Sequence, residues 1–155
     1  HDRGEMFSLD PAHPNAFAPG KRPFNTIIPS FFTEQDQPWM SYGVMGGDMQ
    51  PQGHVQILTN LRDFGMNAQE AGDAARWRHE GSTDPGGTAA APGGGQLFLE
   101  SGFGDSVASE LAALGHRIER APGNFGGYQA IRYDAAEDVY LAASESRFDG
   151  HAAGY

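Results

Sequence analysis

At 155 residues the chain is sized for a single domain, read here as 1–155. Ten Lys and Arg against 20 Asp and Glu leave a net charge of −10, which argues against nucleic acid and anionic membrane surfaces, since both need clustered cations. Cysteine is absent, which excludes disulfides and thiolate zinc sites.

The first residues, His1-Asp2-Arg3-Gly4-Glu5, have neither a leading Met nor a signal-peptide pattern. Chain is expected upstream of them. Residues 8–23 hold four prolines and read as irregular loop. Asn25 to Phe32 reads as a strand, with Pro29 marking an edge or bulge. A polar turn over Thr33–Pro38 leads to a returning strand from Trp39 to Val44. Met45-Gly46-Gly47-Asp48 ends that strand, and Pro51 suits the first turn of a helix. The helix is expected to reach Phe64, with Ile57, Leu58, Leu61 and Phe64 on its apolar face and Gly65 as C-cap.

Asn67-Ala68-Gln69-Glu70 has capping-box spacing and opens a second helix to about Ala75. Arg76–His79 follows as a short strand, with a packed Trp77 between surface arginines. Residues 81–95 are low-complexity and read as an exposed loop. Leu97–Glu100 is a strand. Asp105 or Ser106 caps a helix carrying Val107, Leu111 and Leu114, closed by Gly115. A second hairpin pairs 129–133 with 139–142 across an acidic turn. Hairpin, two helices, strand, helix and hairpin make an α+β order rather than βαβ repeats.

The pair Gly46-Gly47 is the most informative local feature. Two bare backbone N–H groups ahead of a helix suit an oxyanion, and they equally suit a plain tight turn. Arg3, Lys21 and Arg22 could meet a carboxylate, or be solvated. Asn25 and Thr26 could hydrogen-bond a substrate, or merely open a strand. The six histidines form no paired ligand motif, so no metal is expected, and no cofactor signature is present.

Several segments, in order, resemble the γ-glutamyltransferase family. They are Arg3-Gly4-Glu5-Met6-Phe7-Ser8, Pro19 through Pro29, and Met45-Gly46-Gly47-Asp48-Met49-Gln50. Asp63-Phe64-Gly65-Met66-Asn67 with Ala74-Ala75-Arg76-Trp77 follow, then Ser146-Arg147 and Ala153-Gly154-Tyr155. The resemblance implies a four-layer αββα N-terminal-nucleophile hydrolase fold, shared by two subunits cut from one precursor. It implies a threonine nucleophile upstream of His1, a large subunit as partner and a small-molecule amide as substrate. Gly46 and Gly47 would then be the oxyanion hole, and Arg3, Asn25 and Thr26 would bind substrate.

Three departures point from γ-glutamyl specificity toward an acylase or small-amide branch, such as cephalosporin-acylase-like or oxamate-hydrolase-like members. Met6 stands where the family's aspartate holds an α-amino group, Arg3 stands at the neighbouring glutamine, and Asn25-Thr26 replaces a serine pair. A non-catalytic binding domain is the remaining alternative. The isolated chain is expected to be inactive and prone to self-association, in cytoplasm or periplasm alike.

Overall fold

The fold is taken from a computed structural model, which describes residues 2–81, 94–120 and 122–155. Most of the low-complexity segment predicted as a loop therefore lies outside the described residues. A 3₁₀ turn over Asp2–Met6 leads into irregular chain up to residue 29.

The first hairpin is β1 (Ser30–Glu34) and β2 (Gln37–Met45). Its strand begins later than Asn25, because residues 21–29 have no strand partner. Gln35 and Asp36 both have positive φ, 50° and 61°, the two-residue turn whose twist matches paired strands. A bulge between Phe32 and Thr33 accommodates Pro38 opposite Thr33.

Helix α1 (Met49–Arg62) and helix α2 (Ala68–Asp73) follow. Asn67 accepts from the Gln69 and Glu70 N–H groups while Glu70 reaches back to the Asn67 N–H, so the capping box is complete. Helix α1 ends before Phe64. That side chain is 69% exposed, contrary to its expected place on the apolar face, and Asp63 rather than Gly65 is the C-cap.

Beyond α2 come β3 (Trp77–Glu80), β4 (Gln96–Leu99), α3 (Asp105–Ala113) and β5 (Ile118–Glu119), then β6 (Gly127–Asp134) and β7 (Val139–Ser144). Helix α3 is present as expected, and none of its residues is fully buried. The predicted hairpins are one sheet: β2 pairs antiparallel with β6, giving the order β1-β2-β6-β7. The strands β3-β4-β5 form a second sheet, with β4 and β5 parallel. The described residues are thus α+β, as expected.

The core lies between one face of the large sheet and helices α1 and α2. Met40, Tyr42, Val44, Tyr128, Ala130 and Ala143 meet Ile57, Leu61, Ala68 and Ala71. Gly53 lets α1 approach β2, since a Cβ there would lie 2.6 Å from Val44 Cγ1. Three glutamines join helices to sheet edges. Gln56 accepts from Trp77 N–H and donates to Trp77 C=O, both at 2.9 Å. Gln52 does the same for His79, and Gln69 for Ser144. Each amide stands in for a missing strand partner.

Among the described residues, no helix packs against the opposite face of the large sheet. By register it carries Ser41, Gly43 and Met45 of β2, Gln129 and Ile131 of β6, and Tyr140 and Ala142 of β7. Met45, Ile131 and Tyr140 are exposed there.

Candidate active site

The bend Gly46-Gly47 sits at the end of β2, just ahead of α1. Its φ values are +132° and +60°, both in the region that favours glycine. The two carbonyls accept from Met49 N–H at 3.1 Å and Gln50 N–H at 3.0 Å. The Gly46 and Gly47 N–H groups donate in none of the turn, loop and cap bonds among the described residues. They lie past the last ladder pair, Met45 with Gly127. Asp48, the N-cap, makes no side-chain cap bond. The bend therefore joins unconsumed donors to the positive end of a 14-residue helix.

A cavity of about 660 Å³ opens on the uncovered sheet face. Its floor is β-sheet, one wall is Ile27–Pro29, and the other is Phe148 with His151–Ala153. Met45 and Gln50, on either side of the bend, line its end; Gly46 and Gly47 themselves do not.

The structure brings together two of the five predicted site residues, Arg3 and Thr26, and a third residue, Gln50, that the sequence did not single out. Arg3 Nε donates to Thr26 Oγ1 at 2.6 Å. Gln50 Nε2 donates to the Thr26 carbonyl at 2.8 Å, so the Arg3–Thr26 pair is tied to the first turn of α1. Gln50 had no signal beyond its place after the glycine pair. Asn25 behaves differently: its side chain bonds locally to the carbonyl and N–H of Ile27. Among the described residues no group of three His, Asp or Glu could hold a metal.

Behind the bend is an ionic cluster with no counterpart in the sequence reading. Arg76 is fully buried, not a surface arginine. Its guanidinium pairs with buried Glu145 at 2.9 Å and donates to the carbonyls of Phe125, Gly126 and Gly72. Arg147 grips both Glu100 oxygens, at 2.6 and 2.7 Å, and Glu145 at 2.7 Å. Burial works against the Glu145 carboxylate. The Arg147 hydrogen bond, the Tyr128 N–H and the Arg76 charge outweigh it and hold its pKa below the ordinary value. Burial likewise lowers the Arg76 pKa, opposed by Glu145. The cluster clamps the start of the C-terminal segment, whose later residues wall the cavity.

The family model described as Gamma-glutamyltranspeptidase matches residues 1–155. Among curated proteins, the chain is 33% identical to the "Glutathione hydrolase-like YwrD proenzyme" of Bacillus subtilis, over 99% of this chain and 28% of that protein. It is 34% identical to the "Oxamate amidohydrolase proenzyme" of Klebsiella pneumoniae, with the same two coverages. Among solved structures, the cephalosporin acylase from Bacillus halodurans superposes with a TM-score of 0.78 at 43% identity, over 99% of this chain and 27% of that one. The chain thus spans less than a third of the length of these relatives.

Proposed function

The chain belongs to the γ-glutamyltranspeptidase family, and we propose that it is the C-terminal part of the small subunit of an N-terminal-nucleophile amidohydrolase. In this reading the uncovered sheet face meets the remaining strands of a four-layer αββα fold, completed by a large subunit from the same precursor. The nucleophile is a threonine upstream of His1.

Its hydroxyl oxygen attacks the amide carbonyl carbon while its own α-amino group takes the hydroxyl proton. The carbonyl oxygen becomes an oxyanion and receives hydrogen bonds from the Gly46 and Gly47 N–H groups. Collapse expels the amine, which takes the proton from the α-ammonium, and leaves an acyl ester. Water then attacks the ester by the same route, releasing the carboxylate. An amine in place of water gives acyl transfer.

The observation that carries this reading is the bend itself: two unconsumed amides, left-handed backbone and a helix N-terminus at the end of a cavity. Donors fixed before the reaction cost no reorganisation when charge develops. Arg3 and Thr26, tied to Gln50, supply the polar side of substrate binding, with Arg3 directed to a carboxylate. Asn25 keeps a supporting place in that loop.

For specificity, Met6 offers no charge to a γ-glutamyl ammonium. The acylase or small-amide branch is favoured, and the relatives named for oxamate and cephalosporin chemistry support it. The test is the full-length precursor. It should cleave itself and hydrolyse short carboxylate-bearing or acylase-type amides faster than a γ-glutamyl anilide. Efficient turnover of the anilide would contradict the branch; no amide hydrolysis at all would favour the non-catalytic alternative.

A further inference from the structure

We propose that Asn124 is a further donor of the anion site, its side-chain amide standing beside Gly46; the proposal rests on the oxyanion reading of the bend. Asn124 Oδ1 accepts from Gly126 N–H at 2.9 Å. A backbone N–H only donates, so this bond orients the amide and leaves Nδ2 as the outward atom. Nδ2 donates to no acceptor among the described residues, and the residue is exposed. Both amide atoms lie over the Gly46 α-carbon: a Cβ there would be 3.1 Å from Oδ1 and 3.3 Å from Nδ2. An unused donor thus borders the bend whose own N–H groups are unused.

The donor is also held in place. Arg78 Nη1 donates to the Asn124 carbonyl at 3.2 Å, and its guanidinium lies over the rings of Phe98 and Phe125, 4.8 and 5.7 Å from their centroids. Gly126 packs against Val44 and the Met45 carbonyl with no room for a side chain. Loop, strand end and bend form one rigid corner, which is what a transition-state donor requires. The group it serves is the developing negative oxygen of an amide or ester carbonyl.

The experiment compares self-processed wild type, Asn124→Asp and Asn124→Ala in the full-length protein, by kcat, KM and thermal midpoint. Asn124→Asp keeps the shape and the acceptor for Gly126 but replaces the donor with an oxygen. Loss of one such donor costs on the order of 100-fold in kcat, so both variants should fall by about 10- to 100-fold, with Asp at least as low as Ala. KM should stay within about threefold and the Asp midpoint should be unchanged, the pattern of a contact made only in the transition state. Wild-type kcat in Asn124→Asp would reduce Asn124 to a loop support and overturn the proposal alone. An inactive wild type would overturn the reading of the bend together with it.

Discussion

Gly46 and Gly47 are adjacent but not equivalent. Gly46 lies at φ +132° with its Cβ position occupied by Asn124 and the Gly126 backbone, whereas Gly47 lies at +60° with open space around it. Gly46→Ala is therefore expected to destabilise by about 2–3 kcal/mol, from backbone strain plus contact. Gly47→Ala should cost only about 1 kcal/mol. Denaturant unfolding of the two variants checks the order, and equal losses would mean the bend is relaxed.

Glu145 makes a second claim at this scale. Its folded carboxyl binds a proton less readily than in the unfolded chain, so around pH 4 the unfolded state holds more protons and stability rises with pH. The contribution is fully present above the ordinary carboxylate pKa and is lost as pH falls through the depressed one. Glu145→Gln should flatten that acid limb in a pH series of unfolding midpoints. Arg76→Met leaves Glu145 buried and half-paired, and should cost about 3–5 kcal/mol.

Legibility in the sequence followed how local each determinant was. The glycine bend was visible as a turn because two glycines between a strand and a helix are local punctuation; its assignment to an oxyanion over a plain turn came only from the family resemblance. Arg76 was misread because a lone arginine near a tryptophan has no sequence sign of burial; its partner Glu145 is 69 residues away.

At the scale of elements, the glutamine pairs are the least conventional feature. Gln56 satisfies both backbone groups of Trp77 at the edge of β3. Gln56→Leu should strand both and cost about 1–3 kcal/mol, measured by thermal unfolding. A neutral result would mean that water replaces the amide. Periodicity placed α1 but ended it late at Phe64, because the stripe of apolar residues continues past the point where the chain turns toward Asn67. Helix α3 was found by its spacing, and it lies beside β5 with none of its residues fully buried. The capping box was read correctly because all its parts lie within four residues. The pairing of β2 with β6 joins residues about 90 positions apart, and neither strand carries a mark of its partner.

At the scale of the molecule, one face of the four-stranded sheet is covered by helices and the other, among the described residues, is not. The uncovered face carries Met45, Ile131 and Tyr140, and β1 and β7 are edges of the sheet. Apolar faces and open strand edges promote association. Light scattering of the isolated 155-residue chain should show concentration-dependent self-association, and a monomer at every concentration would contradict that view. In the proposed reading, upstream strands make the same face interior and the cavity becomes the approach to the threonine.

The most direct measurement is a crystal structure of the full-length, self-processed protein with a tetrahedral adduct of an electrophilic substrate analogue on that threonine. The account predicts the adduct's oxygen about 2.7–3.1 Å from the Gly46 and Gly47 nitrogens. An oxygen beyond hydrogen-bond reach of both nitrogens would contradict it.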